Sequence, residues 1–320
     1  MAHPAMDALR IKQRLIEFYK TPSGNGYAAG LGEIARGRVP GEFLPAILAE
    51  TEGDGSRIAS TMAKRLEFAA TYWTDRDMVD LVTHAASSRP LDAITIEDAP
   101  TQHGFVLFDR PAYIRFAEDT GEFTTLNIKA MLWDQTVNVN GNPGFQVTLW
   151  SDPRDREDSL NEILKANKVD PFAGSGNLVV AHVGFIPFRT TFYDHLWWLA
   201  FAATFWHLVT QPSTTASTVV EPDRQVKKQF ERAEILANTV AIITLRRTTA
   251  QPKETVGPTA PSGRTQMVRT MVGEKTGGFW RNQYYPSLDL RKPLWIMPFV
   301  RGPEDAPWSF KKEKIYAWRR

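Results

Sequence analysis

The chain of 320 residues contains no cysteine. That excludes disulfide staples, thiolate nucleophiles and cysteine-ligated metals, and it fits a reducing compartment such as the cytoplasm. Histidine is scarce, at six residues. His84, His103, His182, His195 and His207 show no spacing such as H-x-x-x-H that would hold zinc. His195 and His207 flank an apolar segment and read as structural histidines with local hydrogen-bond partners. Long apolar runs are missing too: Val179–Phe188 and Leu196–Phe205 are the most apolar stretches, and both are too short to span a bilayer. Residues 1–20 lack a continuous apolar segment of the secretory kind. There is no G-x-x-x-x-G-K-[ST] loop and no G-x-G-x-x-G after a β-like run. The Gly-rich turn "AGSGN" around Ser175 has Ala173 where a nucleophile elbow needs glycine. The expectation is a protein with no catalytic residue, no metal and no cofactor.

What is present is ordinary globular material, 42% apolar and 23% charged. The net charge of +2 is too small to mark a partner, but it is unevenly spread. Residues 1–100 hold 11 Lys/Arg against 14 Asp/Glu, whereas residues 264–320 hold 12 against 5. The same C-terminal stretch carries Trp280, Trp295, Trp308 and Trp318, four of the ten tryptophans. Basic charge attracts phosphate whatever its sequence, and aromatic faces stack on bases.

The periodicity predicts an α+β protein with N-terminal helices, a central antiparallel sheet packed on a buried aromatic helix, and a C-terminal aromatic-basic β module. Residues 1–90 read as helical, with Asp7 as N-cap of the first helix and Thr74 as N-cap of a later one, Asp77 standing three residues on. Short β-rich runs separated by turn residues occupy about 92–190, and "VNVNGNPGFQVTLW" reads as a hairpin. Thr191–Thr210 is apolar almost all round and predicts a central helix with Trp197, Leu199, Phe201 and Phe205 buried. Pro222–Ile235 predicts a polar surface helix and Thr239–Arg247 a strand. The organisation expected is a main domain over 1–247, a flexible loop over 248–266 rich in Thr, Pro and Gly, and a β module over 267–320 built from "TQMVRTMV", "KPLWIMPFV" and "KIYAW".

Within that module "GGFWRNQYYPS" (Gly277–Ser287) concentrates the recognition chemistry. The order Phe279, Trp280, Arg281, Asn282, Gln283, Tyr284, Tyr285 does not alternate apolar with polar as a half-buried strand would. Arginine forks onto carboxylate, phosphate or base edges, and the amides read backbone or bases. Aromatic residues and arginine also dominate protein–protein hot spots. The candidate binding residues are Trp280, Arg281, Asn282, Gln283, Tyr284, Tyr285, Arg291, Trp295 and Arg301. Chemistry alone leaves a polypeptide and a nucleic acid, RNA or DNA, both open as partners. A third reading is a degenerate metal-dependent nuclease, from Glu97, Asp98, Asp109 and Lys129, with Asn127 where an acidic residue would be needed.

The C-terminal run "GGFWRNQYYPSLDLRKPLWIMPFVRGPEDAP" resembles a signature of phage and mobile-element proteins. Together with "IEDAPTQHGFVLFDRPAYIRF" and "HLWWLAFAATFW" it is similar to the anti-CRISPR family that blocks production of the type V-A CRISPR effector nuclease. These blocks cover about a fifth of the chain. The resemblance implies a non-catalytic, cytoplasmic inhibitor that evades host defence by recognising the nascent effector polypeptide and lowering its message. The matching positions are Gly278, Trp280 and Tyr284. Phe279 stands where that pattern usually has His, so a chemical role for a His at that position is lost.

Overall fold

The computed structural model describes residues 4–50, 55–89, 94–117, 123–152, 178–189, 197–246, 270–272, 278–285 and 290–301. The chain divides into two compact units, Met1–Arg246 and Arg247–Arg320.

The first unit opens with helix α1 (Met6–Tyr19), which buries Leu9, Leu15, Ile16 and Phe18. Its N-cap is Ala5 rather than Asp7. The amides of Asp7 and Ala8 bond the carbonyls of Pro4 and Ala5, which starts the helix earlier and leaves the Asp7 carboxylate in the first turn, bonded to Arg10 at 2.8 Å. Helix α2 (Pro22–Arg38) is capped by Thr21, whose hydroxyl accepts from the Gly24 amide, and has Pro22 at its first position. The short α3 (Ala46–Glu50) and α4 (Gly55–Phe68) follow.

Residues 1–90 are not wholly helical. Ala70–Thr74, sequence ATYWT, forms strand β1, which is buried at the middle of the sheet. Its β-branched and aromatic content suits a pleated surface, and non-local pairing overrides the helical context on either side. Because Thr74 is spent in the strand, helix α5 (Arg76–Ala86) is capped one residue later by Asp75, which accepts from the Met78 amide at 2.9 Å.

The remaining strands of this unit are β2 (His103–Ala117), β3 (Phe123–Val137), β4 (Pro143–Ser151), β5 (Val179–Pro187), β6 (Thr215–Val220) and β7 (Val240–Leu245). They form one seven-stranded sheet in the order β5-β4-β3-β2-β1-β7-β6. The sheet is mixed, not antiparallel. Strands β2 to β5 make an antiparallel meander, and β6 pairs antiparallel with β7, but β1 lies parallel to both β2 and β7. The parallel pair β1–β2 is joined through α5, the helical crossover that parallel pairing requires. The β3–β4 hairpin forms where the sequence places it. Asn138 holds its loop by accepting from the amides of Asn140 and Asn142, and Gly141 sits at φ 75°.

Helices cover both faces. On one, α1, α2 and α4 pack over Trp73, Phe105, Leu107, Leu132 and Trp150, joined by Val226 and Phe230 from the surface helix α7 (Arg224–Arg232). On the other lies α6 (Trp197–Val209), preceded by residues outside the described set. Its Phe201, Phe205 and Trp206 meet Phe108, Trp133 and Phe145 at ring centroids 4.9–6.0 Å apart. Leu199, Phe201 and Phe205 are buried as expected, whereas Trp197 is only half-buried and Trp198 takes the inner position. Gly104 makes room for this packing, since a Cβ there would lie 2.0 Å from the Trp133 ring.

In the second unit β9 (Phe279–Tyr285) pairs antiparallel with β10 (Leu290–Ile296), and β8 (Thr270–Val272) with β11 (Phe299–Arg301). The expected loop over 248–266 and the strand "KIYAW" lie outside the described residues.

Candidate functional site

Cross-strand register sorts the candidate residues of the β9–β10 hairpin. Trp280 faces Trp295, Asn282 faces Pro293 and Tyr284 faces Arg291; the intervening pairs are Arg281 with Leu294 and Gln283 with Lys292. Since side chains alternate across a strand, Trp280, Asn282, Tyr284, Arg291 and Trp295 share one face, and Arg281, Gln283 and Tyr285 share the other. The run does not form a single surface.

The first face is an aromatic strip. Trp295 is buried and meets Trp280 edge-on at 5.2 Å. Further along, Tyr284 is 41% exposed and the Arg291 guanidinium lies over its ring at 5.5 Å. Gly278 makes the buried end possible: at φ 136° it adopts a backbone that side chains disfavour, and a Cβ would lie 2.7 Å from the Trp295 ring. On the second face the exposed Arg281 donates to the side chain of Gln283, whose amide donates to the Tyr284 carbonyl at 2.9 Å. Tyr285 is half-buried. Arg301 ends β11 opposite Thr270.

The first unit gathers charged groups that the sequence had not brought together. A cleft of about 230 Å³ lies between α1, the carboxyl end of β1 and the middle of β2 and β3, lined by Asp7, Arg10, Arg14, Trp73, Asp109 and Lys129. Arg10 is claimed by Asp7 and, at 3.6 Å, by Asp223. Lys129 donates to the backbone carbonyl of Asp109 at 2.7 Å, within the register shift between Leu107 and Ala112. Of the carboxylates expected to accompany Asp109, Glu97 is exposed and Asp98 faces His207 at 3.1 Å; neither lines the cleft. Burial alone would raise the Asp98 pKa, but the bond and charge of His207 and the two bonds from Thr95 hold it well below the usual carboxylate range.

Two more networks are structural in form. Asp134 on β3 bridges Arg65 of α4, at 2.8 Å, and His103, at the start of β2. Burial lowers the Arg65 pKa against the opposing pull of Asp134. Lys12 is 1% exposed and donates to the Ala69 carbonyl and the Thr71 hydroxyl. Burial lowers its pKa to about 7, partly offset by Glu67. The signal in the sequence is its place among Leu9, Ile16 and Tyr19 on the apolar stripe of α1. Burial likewise takes His182, packed against Trp198, down to about 4.

No protein-family model matches the chain, and no curated protein matches it. Among the described residues no helix is long and apolar enough to cross a membrane, and no three His, Asp or Glu side chains cluster as metal ligands.

Proposed function

We propose that the chain is a non-catalytic binding protein of phage type, whose C-terminal hairpin recognises a polypeptide. The observation that carries the reading is the aromatic strip, anchored by buried Trp295 and ending in exposed Tyr284 under Arg291. A rigid aromatic with an arginine on its face resembles the anchors that dominate protein–protein affinity. Only one cation, Arg291, stands on that face in the described hairpin, whereas a phosphate backbone is tracked by rows of cations. Arg281 and Lys292 on the opposite face favour a second reading, contact with RNA associated with that polypeptide.

Following the family resemblance, the partner is the nascent effector nuclease of a type V-A CRISPR system, and the outcome of binding is loss of its message. Co-expression with that effector tests this. Effector protein and transcript should both fall with the wild-type chain and recover with Tyr284→Ala or Arg291→Ala. Unchanged effector levels with the wild-type chain would refute the anti-CRISPR assignment. Divalent-dependent cleavage of nucleic acid by the purified chain would refute its non-catalytic character.

A further inference from the structure

We propose that the cleft between α1, the carboxyl end of β1 and the middle of β2 and β3 binds a phosphomonoester carried on a sugar. Strands β2, β1 and β7 are adjacent and parallel, so their carboxyl ends point the same way. In sheets with this arrangement ligands settle outside those ends. The cleft lies at the carboxyl end of β1, against the register shift in the middle of β2, bounded by Trp73, Leu107 and Asp109. Its volume of about 230 Å³ has room for a pentose phosphate and none for an oligonucleotide.

The charges define the ligand. Arg10 is neutralised within the fold by Asp7 and Asp223. Arg14, one turn further along α1, is exposed and has no ion-pair partner among the described residues. Lys129 enters from β3, oriented by the Asp109 carbonyl. Two cations from two elements, one a planar fork and one a point charge, suit a dianionic phosphate. The Asp109 side chain, also without an ion-pair partner among the described residues, lines the same cleft. An ionised carboxylate only accepts hydrogen bonds, so it repels a purely anionic ligand and favours one that brings hydroxyl donors beside its phosphate. Sugar phosphates do so, and the apolar wall of Ile11 and Trp73 offers a place for a base.

This site lies in the first unit and does not depend on the hairpin reading. Calorimetric titration of the full chain with ribose 5-phosphate, adenosine 5′-monophosphate and inorganic phosphate tests it. Ribose 5-phosphate should bind with a Kd of about 1 mM or tighter. Arg14→Gln should weaken it about tenfold with an unchanged melting temperature, because the side chain is exposed. Asp109→Asn should weaken the sugar phosphate but not inorganic phosphate. Tighter binding of the nucleotide would identify a nucleotide as the natural form, and equal binding a simple sugar phosphate. Absence of heat from either sugar phosphate up to about 20 mM, or an Arg14→Gln variant with wild-type affinity, would overturn the proposal.

Discussion

Lys12 shows how one residue can carry a pH dependence through the whole first unit. Its folded pKa of about 7 lies below the value of 10.5 expected in the unfolded chain. Between those values the unfolded state holds the proton and the folded state has shed it, so stability rises with pH across that window. The melting temperature of the wild type should therefore gain on that of Lys12→Met from pH 7 to pH 9. Parallel curves would show that Lys12 is solvated. Gly278 makes the matching case in the second unit. Gly278→Ala forces a Cβ against the Ile296 carbonyl and the Trp295 ring, at a cost of roughly 1–3 kcal/mol. Amide exchange in β9 and β10 should accelerate; unchanged protection would show that the turn accommodates the methyl. At this scale the sequence was partly legible. The aromatic and arginine residues of β9 announced themselves by composition. Lys12 and Arg14 did not, because each is an ordinary charged residue until the fold supplies burial or a neighbour, and Asp109 and Lys129 drew notice only for a nuclease constellation whose other carboxylates lie elsewhere.

Among the elements, α6 was the most legible. A segment apolar on every side has to lie inside, and Phe201, Phe205 and Trp206 do so against Phe108, Trp133 and Phe145. Phe205→Ala should cost roughly 3–5 kcal/mol, as for other fully buried aromatics, read by chemical denaturation. A loss below about 1 kcal/mol would place the helix at a surface. Trp197, half-buried, should cost less. Strand β1 was illegible for a physical reason: five residues directly after α4 carry no turn signal, and their pairing with β2 and β7 spans long stretches of chain. Parallel order is likewise invisible to local periodicity. The non-alternating order of β9 has a related explanation. The hairpin exposes both faces in part, so neither has to be uniformly apolar.

For the whole molecule, the two units divide the chemistry. Met1–Arg246 contains the mixed sheet and the charged cleft, and Arg247–Arg320 contains the aromatic hairpin. Under the function proposed here the hairpin's Trp280–Tyr284–Arg291 face recognises a polypeptide. The direct measurement is retention of ribosomes bearing nascent effector chains on the immobilised full-length protein, at about 50 and 200 mM salt. Apolar contacts are not screened, so retention should persist at the higher salt and be lost in Tyr284→Ala and Arg291→Ala, both of which should keep the wild-type melting temperature. Release of the wild type by the higher salt, or full retention by the variants, would contradict the account.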